Sequence, residues 1–265
     1  QVRVVEPAGG GVGLQRERGG EVAVGEARLV HHVVPDDRRV IGELLGQGAS
    51  GMIHRAQWTR PDQPPRAMAA KLFKGALTSD GLPHSEMAAC LAAGEHPNLI
   101  RVAGPLAEQA DAPAGLLLEL IEPSYQVLAG PPSLASCTRD VYPTGRYFTA
   151  DEALRIARGS AAAVAHLHAQ GILHGDLYAH NLLANAQGDC LLGDFGAASF
   201  FAPQGVTSAA LQRIEARAFG CLLEELLQRC PAPELQPLWQ LQRRCVSSNL
   251  DERPDFAEIL GLLGA

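Results

Sequence analysis

No apolar run in this chain approaches the ~18–20 residues that a membrane span needs, so no membrane partner is expected. Nor is there an excess of positive charge. The chain carries 22 Lys and Arg against 29 Asp and Glu, a formal charge of −7. That balance argues against a broad basic face for nucleic acid and against electrostatic attachment to anionic lipid. None of the six cysteines (Cys90, Cys137, Cys190, Cys221, Cys230 and Cys245) stands in a C-x-x-C pair, and no histidine is spaced to complete a zinc site. Buried free thiols in a reducing, cytoplasmic compartment are the expectation. The start, Gln1-Val2-Arg3-Val4-Val5-Glu6, lacks the long apolar stretch of a secretory signal. The missing initiator Met is what a piece of a longer protein would show. No internal repeat is visible.

What the chain does have is enough length and apolar content for a real core. Its 265 residues suit one large domain or two small lobes. Residues 1–38, rich in Gly and Val and free of Lys, read as an N-terminal extension with short strands at 2–5, 21–24 and 27–34. Residues 40–74 read as strand, glycine turn, strand, loop, strand. A helix is expected over 83–94 with Pro83 in its first turn, then short strands over 99–102 and 116–121. Residues 122–148, broken by Pro123, Gly130, Pro131, Pro132, Pro143 and Gly145, form an irregular connection. Thr149-Ala150-Asp151-Glu152 has the form of a capping box. The helix behind it carries Leu154, Ala157, Ala161, Val164, Ala165 and His168 on one stripe and ends at Gly171. A second helix is expected over 209–229. Strands first and helices later predict an α+β chain of two lobes.

Three clusters carry chemistry: His174-Gly175-Asp176, Asn181, and Asp194-Phe195-Gly196. Between Asn181 and Asp194 lie the apolar runs Leu182-Leu183 and Leu191-Leu192, which suit a hairpin. Two oxygen ligands flanking a hairpin and facing a third carboxylate fit a Mg²⁺–phosphate site, since Mg²⁺ is held by one or two carboxylates plus substrate phosphates. Upstream, Gly46-Gln47-Gly48-Ala49-Ser50-Gly51 offers unobstructed backbone N–H groups of the kind that close over phosphates. Lys71 projects from the apolar run Ala69-Ala70-Lys71-Leu72-Phe73, where a buried ammonium needs a partner. Glu86, on the next helix, is the natural one; Glu43 and Glu95 are the fallbacks.

Taken together, these motifs resemble the eukaryotic-type protein kinase domain over roughly residues 40–262. HGDLYAHNLL and GDFG look like its catalytic and metal-binding loops, His96-Pro97-Asn98-Leu99-Ile100 follows the helix glutamate, and Glu252-Arg253-Pro254-Asp255-Phe256 resembles its late arginine motif. The resemblance implies a bilobal α+β fold, with a β-rich N-lobe to the hinge over 39–121 and a mainly helical C-lobe over 122–265. It implies ATP and Mg²⁺ as cofactors, with Asn181 and Asp194 as the metal ligands. Asp176 would position or accept the proton of the attacking hydroxyl, and Lys71 with Glu86 would hold the α- and β-phosphates. Adenine would meet backbone groups near Glu119 and Ile121, with Leu118 at the back and Ile53, Ala69 and Leu183 around the base. His174 and Phe195 would serve packing and orientation. Glu215, where the family has Asp, would anchor the backbone of the catalytic loop, a contact that its longer side chain puts in question.

Other departures concern the acceptor side. Gly175 stands where the family has an arginine that grips an activation-loop phosphate, so switching of that kind is not expected. Tyr178 stands where Ser/Thr kinases carry a γ-phosphate lysine, and His180 is the candidate replacement. Ala202-Pro203-Gln204 looks like a degenerate Ala-Pro-Glu motif, which leaves five residues, Ala197 to Phe201, for the activation segment. A peptide platform does not fit there, and Gln204 would give Arg253 a neutral partner. Cys137, Thr138, Arg139, Asp140, Tyr142 and Arg146 make 122–148 dense in polar groups, either as a solvated loop or as part of substrate recognition. The leading expectation is a kinase acting on a protein substrate, with Ser/Thr favoured over Tyr. The alternatives are a small-molecule phosphotransferase, since His-Gly-Asp also looks like the aminoglycoside and choline kinase branch, and a pseudokinase scaffold.

Overall fold

The structure is a computed structural model. It describes residues 39–48, 50–60, 63–74, 82–107, 113–137, 139–203 and 205–264. The strands expected within 1–38, and Ala49, Thr138 and Gln204, lie outside the described residues.

The N-terminal part is a five-stranded antiparallel sheet in the order β1-β2-β3-β5-β4, with β1 Arg39–Gln47, β2 Gly51–Trp58, β3 Arg66–Phe73, β4 Val102–Pro105 and β5 Gly115–Glu119. The period-2 alternation of a strand sorts β3 between two cores. Met68 and Ala70 join Ala56, Trp58, Leu106 and Leu117 on one face. Phe73 joins Leu116 and the helix α1 (Pro83–Ala93) through Ala89, Cys90 and Ala93 on the other. Lys71 has the same parity as Phe73, and this places its ammonium on the α1 side.

The strand expected from Leu99 begins only at Val102. Residues 98–100 are taken instead by the C-terminal half: Leu192 N–H donates to the Asn98 carbonyl (2.8 Å), Ile100 N–H to the Leu192 carbonyl (3.1 Å), and Asn98 Nδ2 to the Cys190 carbonyl (3.0 Å). The His-Pro-Asn turn is thus a strap from α1 to β9 (Cys190–Leu192).

The C-terminal part is built on α2 (Ala150–Ala169) and α3 (Val206–Gln228), with α4 (Leu238–Cys245) and α5 (Phe256–Leu263) behind. The capping box is formed: Glu152 N–H donates to Thr149 Oγ1 (3.2 Å), and Thr149 N–H to Glu152 Oε2 (2.8 Å). The buried face of α2 is wider than the expected stripe. Ile156, Ser160, Ala163 and Leu167 are buried as well, and Leu154 and Ala165 are only partly so, because α3, α5 and β9 all pack on this helix. Short strands complete the part: β6 (Gln126–Val127) with β8 (Leu182–Ala184) and β9, and β7 (Ile172–Leu173) with β10 (Ser199–Phe200). Among the described residues, no helix is long and apolar enough to cross a membrane.

All six cysteines are free. Burial pushes the thiols of Cys190 and Cys245 up to about 12, whereas Cys137 is exposed. Reactivity follows the thiolate fraction and access. Alkylation of the native protein at pH 8 is therefore expected to modify Cys137 first and to reach Cys190 and Cys245 only after unfolding, as peptide mass spectrometry would show.

Candidate active site

Lys71 Nζ hydrogen-bonds Glu86 Oε1, and Asp194 Oδ1 lies 3.7 Å from the same ammonium. The lysine side chain is 12% exposed and the glutamate 2%. Burial alone would favour neutral Lys71, but the Asp194 and Glu86 carboxylates outweigh it and hold the pKa above the ordinary lysine value. The fallback partners are engaged elsewhere, Glu43 with Arg55 and Glu95 with Arg101.

The catalytic loop presents the expected trio. A 3-10 turn over Ala179–Asn181 brings Asn181 back to Asp176, so that Asn181 Nδ2 donates to both the Asp176 carbonyl (2.9 Å) and Asp176 Oδ2 (2.8 Å). Gly193 N–H donates to the Asn181 carbonyl (3.0 Å), tying β9 to the loop just before Asp194. Asp194 itself sits at φ 56, a left-handed conformation that Asp tolerates better than most residues. His174 and Phe195 are buried, with ring centroids 5.3 Å apart, and His174 Nε2 meets the Gly193 carbonyl at 2.9 Å. Both act in packing. His180 Nδ1 lies 2.9 Å from Asp140 Oδ1. That hydrogen bond, with the charges of Asp140, Asp176 and Asp194, outweighs desolvation and raises the imidazole above its ordinary pKa.

A cavity of ≈ 200 Å³ lies among these groups, although Asp176 does not line it. Ile53, Lys71, Glu86, Leu118, His180, Asn181, Leu183 and Asp194 all line it. The expected adenine contacts Ala69, Glu119 and Ile121 do not, and neither do the described glycine-loop residues. Ala69 is buried within β3 opposite Leu118. Glu119 and Ile121 line a separate cleft of ≈ 670 Å³ with Glu95, His96 and Tyr125. The Glu119 side chain pairs with Arg66, and its N–H donates to the Arg101 carbonyl at 2.9 Å. Among the glycine-loop residues, Gly46 and Gln47 end β1 and Gly51 opens β2, while Ser50 is buried and hydrogen-bonds Glu86. Gly48 N–H donates to the Gly51 carbonyl at 2.9 Å.

Lys74 is the residue that sequence reasoning passed over. Its Nζ donates to the Gly48 carbonyl (3.0 Å) and its N–H to the Ser50 carbonyl (3.1 Å), which fastens the glycine loop to the end of β3. A signal was available: Lys71 and Lys74 are the only two lysines in the chain.

The anchor in question is made. Glu215 Oε1 accepts from Gly175 N–H (2.8 Å), and Glu215 Oε2 lies 2.6 Å from His168 Nε2, both side chains being buried. The extra methylene is accommodated because His168, on α2, takes the second oxygen. The structure also accounts for Gly175. Its φ is 79, and a Cβ there would lie 2.3 Å from the Ala197 carbonyl oxygen. The short segment after Asp194 lies against the catalytic loop and pairs along β7 (Ser199 with Leu173, Phe200 with Ile172). No arginine fits at 175 under that segment. Even so, the Asp176 side chain remains 39% exposed, so the segment does not seal it from an acceptor. Arg253 donates to the carbonyls of Ser247 (2.7 Å) and Arg213 (3.3 Å) rather than to a carboxylate.

Several polar groups of 122–148 meet neighbouring elements, while Cys137 stays exposed. Arg139 pairs with Glu224 and Glu225, Tyr142 Oη donates to Glu225 Oε2 (3.2 Å), and Arg146 reaches Glu152 (3.3 Å). They tie the segment to α3 and to the start of α2.

Among the described residues, no three His, Cys, Asp or Glu side chains gather to hold a metal by themselves. The donor set nevertheless fits Mg²⁺. Asn181 donates through Nδ2 and so keeps Oδ1 free, Asp194 adds a partly exposed carboxylate, and phosphate oxygens would complete the shell.

The sequence pattern of the family described as protein tyrosine and serine/threonine kinase matches residues 40–217. Non-receptor tyrosine-protein kinase TNK1 of Homo sapiens is 25% identical over 87% of this chain and 40% of its own length. CBL-interacting protein kinase 22 of Oryza sativa subsp. japonica is 28% identical over 62% of this chain and 37% of its own. Ephrin type-B receptor 4 of Mus musculus is 28% identical over 60% of this chain and 15% of its own. The chain therefore spans well under half the length of these curated relatives.

Glu215→Ala would leave the buried Gly175 N–H and His168 Nε2 without partners. Each such group costs about 1–3 kcal/mol. A stability loss of about 3 kcal/mol in urea unfolding is expected, with Glu215→Gln losing clearly less because it keeps an acceptor for Gly175.

Proposed function

The chain belongs to the protein tyrosine and serine/threonine kinase family, and from that membership we propose that it transfers the γ-phosphate of ATP to a protein hydroxyl, with serine or threonine as the acceptor. One observation carries the reading: the Lys71–Glu86 pair is closed on the same cavity as Asp194 and Asn181, and Asn181 holds Asp176 by a hydrogen bond. In protein kinases that pairing and the metal-binding Asp must both be in place for transfer.

Each residue then has a task. Lys71, fixed by Glu86, offers a cation to the α- and β-phosphates. Glycine-loop N–H groups lie over the phosphates. Ile53, Leu118 and Leu183 give the adenine an apolar slot. Asn181 and Asp194 would hold Mg²⁺, which when bound neutralises phosphate charge. Asp176, oriented by Asn181, accepts the proton of the acceptor hydroxyl as its oxygen bonds to the γ-phosphorus and the bond to the β,γ-bridging oxygen breaks, releasing ADP. Glu215 and His168 keep the loop backbone still beneath it. The buried free thiols support a reducing, cytoplasmic setting.

Transfer from γ-labelled ATP to generic protein acceptors tests the reading. Label on protein is expected, with phosphoserine or phosphothreonine separated from phosphotyrosine by acid hydrolysis. Asp176→Asn should lower the rate by about 10²–10⁴-fold, the usual worth of such a proton acceptor, and Asp194→Ala should abolish transfer. Label only on a small alcohol would instead make the chain a small-molecule phosphotransferase. ATP binding without any transfer would make it a scaffold.

A further inference from the structure

A cavity of ≈ 290 Å³ lies between the catalytic loop, α3 and the irregular stretch before α2, and it shares no residue with the nucleotide cavity. Leu177, Tyr178 and Ala179, the three residues after Asp176, all line it. The kinase reading gives it no task. Part of its lining is apolar: Leu177, Ala179 and Leu222 are buried, and Ala218 is half-buried. The charged groups are Arg139, Glu225 and Arg217. Two of these answer each other. Arg139 lies 3.5 Å from Glu225 Oε1 and also reaches Glu224, and Tyr142 Oη donates to Glu225 Oε2 at 3.2 Å. Arg217 differs. It is exposed, its guanidinium makes a single long contact, from Nη1 to the Val246 carbonyl at 3.5 Å, and no carboxylate among the described residues pairs with it. The cavity therefore carries one unanswered positive charge. Arg217 also belongs to a stripe of α3, Ile214, Arg217, Ala218 and Cys221, whose spacing puts them on one face. Ile214 is 58% exposed. The short segment after Asp194 turns to β7 instead, and this face of α3 is left open.

We propose that this cavity selects the acceptor protein by receiving a glutamate side chain that lies near the acceptor hydroxyl, and that Arg217 is the specificity-determining residue. The inference rests on the kinase reading and deepens it. A polypeptide that offers its hydroxyl to Asp176 passes the surface of the residues that follow Asp176, and the cavity opens there. Glutamate suits both parts of the lining. Its methylenes lie on Leu177, Ala179, Ala218 and Leu222, and its carboxylate meets the planar fork of the Arg217 guanidinium, which pairs with carboxylates through two parallel hydrogen bonds. A lysine in the same place meets a like charge and is rejected. An apolar side chain fills the space but leaves the guanidinium without a partner.

Transfer from Mg²⁺·ATP to a set of serine and threonine peptides provides the first test. A single glutamate is moved through the positions flanking the acceptor in an alanine background, and the set is repeated with lysine. Glutamate at one position is expected to raise kcat/KM about tenfold over alanine, the worth of one charge-assisted contact. The ratio should fall to near unity in Arg217→Ala, and Arg217→Glu should favour lysine at that same position. Equal use of glutamate, alanine and lysine at every position, or a glutamate preference that survives Arg217→Ala, would overturn the proposal and leave the kinase reading intact. A second readout needs no turnover. Cys221 lines the cavity and is half-buried, so the rate at which its thiol is labelled reports the local charge. An anionic sulfonatoethyl and a cationic trimethylammonioethyl methanethiosulfonate are compared by peptide mass spectrometry, with the exposed Cys137 as the internal reference. Relative to Cys137, Cys221 should favour the anionic reagent severalfold in the wild type and the cationic one in Arg217→Glu. The same ratio at both thiols would sink the proposal. Charge discrimination at Cys221 with no transfer to any peptide would sink the kinase reading and sustain the anion-selecting cavity.

Discussion

A charged ammonium inside an apolar sheet is the constraint on which the rest of this molecule turns. Lys71 is placed there by strand parity, on the face of β3 that looks at α1, and it can be charged there only because Glu86 arrives from that helix. The position of α1 is therefore bound to the position of β3. Phe73, Leu116, Ala89, Cys90 and Ala93 supply the apolar packing around the pair. The His-Pro-Asn strap then passes the constraint across the molecule, since residues 98–100 pair with β9 and Asp194 follows β9 directly. One ion pair thus fixes where the glycine loop, the helix and the Asp194 carboxylate can be.

Opposite that pair, the catalytic loop is held from two further directions. Glu215 reaches up from α3 to the Gly175 N–H and is itself held by His168 of α2. Asp140 reaches in from the irregular stretch to the His180 backbone and ring. Buried carboxylates are demanding groups, and Glu215 and Asp140 are each satisfied on both oxygens. The result is a loop whose Asp176 and Asn181 side chains bond each other before any ligand arrives, a preorganised arrangement of the kind that electrostatic catalysis requires.

The acceptor side is organised by shortness. With so few residues between Asp194 and α3, the segment has only the edge of β7 to pair with, and its carbonyls approach the chain at Gly171 and Gly175 closely enough to exclude a Cβ. The absence of an arginine at 175 follows from the closeness of that segment.

Much of this was legible in the sequence, and the division has a physical basis. Local signals were enough for the three N-terminal strands, the Pro83 helix, the Thr149 capping box, and the identities of Lys71, Glu86, Asp176, Asn181 and Asp194, because period, caps and motif spacing act within a few residues. The scarcity of lysine could also have marked Lys74. Tertiary structure alone decided that residues 98–100 leave the N-terminal sheet for β9, that Glu215 is long enough because His168 shares it, that Glu119 and Ile121 open on a different cleft from Leu118, and that Asp140 belongs to the catalytic loop. Each of those contacts joins residues far apart in the chain, and which partner a side chain meets across such a distance is set by how whole elements pack, a quantity that no local window of sequence contains.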